Sequence, residues 1–91
     1  MSPEHIRSIR KRSGLTQVEF ARALSVAQST VSQWELGKKR PGDPYVATLR
    51  RWNQHLSKME EDARRSWGQE LVTAAVSAGL FAVLMKLFGD E

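Results

Sequence analysis

Ninety-one residues with a net charge of +4 have room for one small domain and an appendage, and so small a core argues for self-association. The absence of cysteine excludes disulfides, thiolate metal sites and cysteine nucleophiles, and fits a reducing compartment. The charge is divided: residues 1–58 carry 11 Lys and Arg against 4 Asp and Glu, a net +7, whereas residues 59–91 carry 3 against 6, a net −3.

Met1 to Ser13 is charged throughout and lacks the apolar run of a secretory leader, so a cytoplasmic, nucleoid-associated location is expected. Ser2-Pro3 reads as a helix start, with Ser as cap and Pro at the first helical position. The first helix is predicted over residues 3–13, with Ile6, Ile9 and Arg10 setting its inward side and Gly14 closing it. Thr16 followed three residues later by Glu19 is a capping box, so a second helix should open at Gln17, with Ala21 small enough for a close crossing. A third helix fits Gln28 to Leu36 and stops at Gly37. Val31 and Trp34 share its inward side, while Gln28, Ser29, Ser32 and Gln33 share the other.

Lys38-Lys39-Arg40-Pro41-Gly42 cannot continue a helix and forms a basic loop. Asp43-Pro44 is predicted to open the next helix by the same logic of cap followed by proline. Tyr45, Leu49, Trp52, Leu56, Met59 and Ala63 then recur at alternating steps of four and three, a heptad seam that beyond Trp52 needs a partner. Glu60 with Arg64 and Glu61 with Arg65 are spaced as exposed i, i+4 pairs, which favours one long helix to about residue 66.

Ser66-Trp67-Gly68-Gln69 interrupts that helix, and Leu71 to Met85 follows without a charge, ahead of Lys86, Leu87 and Phe88. Two readings stay open. A small-residue stripe of Ala74, Ala78 and Ala82, with Ala75 and Gly79 alongside and Leu71 before it, suits a buried dimerising helix. The alternative is a tail anchor, for which the apolar run reaches only the lower edge of a membrane span.

The segment Thr16 to Gly37 resembles the Cro/repressor-type helix-turn-helix family, and the resemblance extends from Ile6 to about Leu49. It implies that Gln17 steadies Gln28, that Gln28 reads an adenine, and that Ser29 reads bases beside it; Ser32 and Gln33 are further base-contact candidates. Gln suits adenine because its amide offers a donor and an acceptor together. Thr16 and Gln17 would support the interface, and Lys38, Lys39 and Arg40, with Arg7 or Arg12, are the phosphate-contact candidates; the alternative for the loop is a merely solvated surface. By likeness to lambdoid phage repressors, Arg10 and Glu35 would form a structural ion pair. Two positions depart from the family pattern: Ser25 stands where Gly is usual in the turn, and Ala27 where Ser or Thr usually caps, each costing about 1 kcal/mol.

No catalytic constellation is visible. His5 and His55 are isolated, and the run Glu60-Glu61-Asp62 diverges around a helix axis. Gly37 to Gly42 lacks the Walker spacing, and Trp34 and Trp52 sit at core spacing. No metal, cofactor or enzymatic activity is therefore expected. The expectation is an all-α protein: a lambda-repressor-like DNA-binding head over 1–57, then an extended helical arm and an apolar helix over 58–91, with dimerisation through Leu56, Met59, Ala63, Leu71, Ala74, Ala75, Ala78, Gly79 and Ala82. The expected function is transcriptional regulation, as a repressor binding a palindromic operator in double-stranded DNA as a dimer or higher homo-oligomer. The alternatives are an antitoxin or adaptor whose last helix binds a different protein, and a membrane-tethered DNA binder.

Overall fold

Ser2 lies in extended conformation and its hydroxyl accepts a hydrogen bond from the His5 N–H at 3.1 Å. Pro3, lacking an N–H, occupies a position where none is needed, so helix α1 starts there and runs Pro3–Arg12. The computed structural model describes residues 1–79, and every regular element among the described residues is an α-helix. Helix α2 (Gln17–Leu24) opens on a reciprocal cap: Thr16 Oγ1 accepts from the Glu19 N–H, and Glu19 Oε1 accepts from the Thr16 N–H. It ends at Ser25 in the left-handed region, φ 57° and ψ 42°. Helix α3 (Gln28–Glu35) follows, opening at Ala27 without a side-chain cap.

Helix α4 spans Asp43–Trp67, 25 residues. Its N-cap is Gly42 rather than Asp43: Asp43 lies in the first turn, where its charge favours the positive end of the helix, and Pro44 beside it needs no donor partner. Gly68, with φ 95° and ψ 155°, adopts a backbone open essentially to glycine alone and breaks the helical course. Helix α5 (Gln69–Ser77) then packs against both α4 and α1.

The main core gathers Ile6, Ile9, Phe20, Val31, Trp34 and Leu49, none more than 4% exposed. Rings lock the helices together, Phe20 against Trp52 at 5.0 Å between centroids and Trp34 against Tyr45 at 5.4 Å. Trp52 Nε1 donates to Ser13 Oγ at 2.9 Å, and that hydroxyl donates to the Ile9 carbonyl at 2.7 Å, so the indole N–H is satisfied at the end of α1.

The heptad seam finds its partner inside the chain, which corrects the expected dimerisation role of several residues. Leu56 is buried in the main core. Ala63 forms a second cluster with Val72 and Ala75 of α5, and Met59, Trp67 and Val76 pack against it. The physical reason is the turn at Gly68, which brings the apolar side of α5 onto the second half of α4. On the opposite side of α5, Leu71 (53% exposed), Ala74 and Ala78 remain open, and Gly79 is half-buried beside α1. Ala82 and the rest of the apolar segment to Phe88 lie outside the described residues. No helix among the described residues is long and apolar enough to cross a membrane.

Glu60 is the other correction. Instead of pairing on the surface with Arg64 it is 5% exposed and bonded to Arg12, because α4 lies against α1 along this side. Glu61 and Arg65 do form the exposed i, i+4 pair, at 2.9 Å. The expected boundary between residues 57 and 58 falls inside the continuous helix α4.

Candidate nucleic-acid interface

Helices α2 and α3 meet where Ala21, 2% exposed, presents only a methyl group, and the Val26 N–H donates to the Ala21 carbonyl at 2.9 Å to close the turn. The left-handed Ser25 lets the chain reverse within three residues. Val31 and Trp34 anchor α3 inward. Gln28 and Ser29 are thereby exposed at its start, with Ser32 and Gln33 half-exposed one turn on.

A chain of hydrogen bonds fixes the first of these side chains. Glu35, at the end of α3, has a side chain 1% exposed. Arg10 Nε donates to its Oε2 at 2.7 Å and Arg10 Nη2 to its Oε1 at 3.0 Å, a bidentate pair. Gln17 Nε2 donates to the same Oε1 at 3.3 Å, and Gln28 Nε2 donates to Gln17 Oε1 at 2.8 Å. Arg10 also donates through Nη1 to the Leu15 carbonyl at 3.1 Å, which ties the turn between α1 and α2 into the group. Burial by itself raises the Glu35 pKa. The hydrogen bonds from Arg10 and Gln17, with the positive charges of Arg10 and Arg7, outweigh it and hold the carboxyl below its ordinary range.

The remaining candidates fall into two groups. Lys38, Lys39 and Arg40 are exposed just beyond α3 and make no ion pair among the described residues. Arg7 is half-exposed, with Nη2 donating to the Glu35 carbonyl at 3.3 Å and Nε 3.6 Å from its carboxylate, so its charge sits at the end of α3. Thr16 is exposed, and its hydroxyl keeps its hydrogen while accepting from Glu19. Arg12 stands apart. Its Nε and Nη2 donate to the Glu60 carboxylate at 2.9 Å each, Nη1 donates to Asn53 Oδ1 at 2.7 Å, and Nη2 also reaches Ser57 Oγ at 3.2 Å. This guanidinium belongs to the joint between α1 and α4, not to a phosphate. The bond from Gln17 to Glu35 and the Arg12 joint escaped the sequence reading, since 18 and 48 residues separate the partners and no local period links them.

A short helix held by its apolar side across another, a row of polar side chains on its free side, and exposed cations at its far end define a helix-turn-helix DNA-binding protein. The sequence matches the helix-turn-helix family over residues 6–51, and the chain belongs to it, a Cro/repressor-type DNA-binding transcription regulator. That family is a regulatory fold, not an enzyme family. No curated protein and no solved structure matches the chain.

Proposed function

We propose that this regulator is a repressor that binds a palindromic or near-palindromic operator as a homodimer, with Gln28 and Ser29 meeting base edges and Ser32 and Gln33 reaching further along the groove. The observation that carries the reading is the exposed Gln28 amide, held at the start of α3 by Gln17 yet facing outward. Lys38, Lys39, Arg40 and Arg7 contact phosphates, and they account for affinity that does not depend on sequence. Thr16 donates its free hydroxyl hydrogen to the backbone beside them.

The second copy covers the open side of α5 at Leu71, Ala74 and Ala78, where small side chains let two helices approach closely. A two-fold dimer sets its recognition helices about 34 Å apart, one DNA turn. Selection of bound fragments from random DNA, followed by a footprint and light scattering of the complex, tests the whole proposal. Two inverted half-sites one turn apart, occupied by two chains, are expected. Recovery of fragments without a common sequence, or a monomer on a single half-site, overturns it.

A further inference from the structure

We infer that Glu35 is a positioning residue for base discrimination: through Gln17 it dictates which end of the Gln28 amide faces the groove. The inference rests on the proposed reading of adenine by Gln28. An ionised carboxylate can only accept hydrogen bonds. Glu35 Oε1 therefore orients the Gln17 side chain, whose nitrogen must point inward at 3.3 Å and whose carbonyl oxygen must point away. That oxygen, in turn, admits only a donor, and Gln28 supplies Nε2 at 2.8 Å. The opposite arrangement sets two acceptor oxygens against each other beside a carboxylate with a side chain 1% exposed.

Each amide thus has one orientation. One hydrogen of Gln28 Nε2 is committed to Gln17, and what is left for a base is one N–H and Oε1. Adenine, with an amino donor beside a ring acceptor, satisfies both; guanine, with two acceptors on that edge, leaves Oε1 opposed. An amide free to turn over would offer guanine both of its hydrogens. Arg10 keeps the relay polarised in one sense, since its bidentate bonds hold both carboxylate oxygens as acceptors.

The test uses the intact chain and the fragments it selects, with the contacted adenine replaced by guanine. Gln17→Met cuts the relay and leaves the bonds between Arg10 and Glu35 in place; Arg10→Met with Glu35→Leu removes the charged pair together and leaves both glutamines. Both variants are expected to lose about tenfold in preference for adenine over guanine, read as the ratio of the two affinities measured on otherwise identical fragments. A folded double variant that retains the wild-type preference overturns the role of Glu35. Side-chain amide NMR of the wild-type protein gives a check that no variant can spoil: one hydrogen of Gln17 and one of Gln28 should be protected from exchange, and equal exchange of both Gln17 hydrogens overturns the relay. If the wild-type chain selects no common sequence, the operator reading fails and this inference with it. If it selects one and the variants discriminate as well as wild type, only the inference fails.

Discussion

Arg12 on α1 and Glu60 on α4, 48 positions apart, face each other through two parallel hydrogen bonds of 2.9 Å, with side chains 18% and 6% exposed. This pair joins the DNA-binding head to the half of α4 that carries α5. With Asn53 Oδ1 and Ser57 Oγ accepting from the rest of the Arg12 fork, the geometry is bidentate and largely desolvated. The exposed side of α5 therefore has a fixed relation to the head that carries α3.

Removing one partner leaves the other charge buried. Glu60→Ala is expected to destabilise the chain by about 2–4 kcal/mol, whereas Arg12→Met combined with Glu60→Leu recovers most of that loss because no charge is stranded. Denaturant unfolding of the two variants checks this, and equal losses would contradict it.

If the proposed roles hold, base readout and phosphate contact should separate by salt and sequence. Gln28→Ala should cost about 1–3 kcal/mol on the selected operator and nothing on random duplex. Lys39→Ala should weaken binding to both and lower the slope of log affinity against log salt by about 1. Fluorescence anisotropy titrations at several salt concentrations measure both quantities.

The turn carries two positions at which stability can be gained. Ser25→Gly relieves a left-handed backbone at φ 57° and should add up to about 1 kcal/mol, net of the entropy glycine brings to the unfolded chain. Ala27→Ser supplies the missing side-chain acceptor at the start of α3 and should add about 1 kcal/mol. Thermal melting reads both, and a lowered melting temperature for Ala27→Ser would show that the first turn of α3 is already satisfied.

Acid should act through Glu35. Its folded-state pKa is depressed below the unfolded value, so the stabilisation is fully present above the unfolded value and is lost as pH falls through the folded one. Unfolding midpoints should decline from about pH 5 downward. The decline should be shallower in the Arg10→Met, Glu35→Leu variant, which has no carboxylate there to protonate. Glu19 shifts in the same direction, chiefly through the Thr16 N–H that its carboxylate accepts, and it adds to the slope in both proteins.

Leu71→Glu places a charge on the open side of α5 without touching the cluster beneath it. Light scattering should show a monomer and melting should remain cooperative. A dimer that survives the change would put the interface elsewhere.

Local chemistry fixed the helix boundaries. Ser2-Pro3, the Thr16 and Glu19 box, and the Gly37 stop act within one turn of the chain, where the physics is short-ranged and the sequence order is the spatial order. The inward positions of Ile6, Ile9, Val31 and Trp34 followed from helical period for the same reason. Period also identified the apolar seam of α4, but period says only that a side is buried, never by what. Leu56, Met59 and Ala63 fitted a second chain as well as their own; the main core took Leu56, and the fold-back at Gly68 covered Met59 and Ala63.

Charge was the least legible property. Arg7, Arg10 and Arg12 stand within two turns of one helix and look alike in sequence, yet Arg10 holds Glu35, Arg12 holds Glu60, and Arg7 lies half-exposed at the end of α3. The sequence by itself determined where helices begin, which sides are apolar, and that a glutamine opens α3, because each depends on neighbours a few residues away. Only the tertiary structure decided which arginine is buried in an ion pair, which stays exposed, and which way each amide points, because those outcomes depend on carboxylates brought from 18 to 48 residues away.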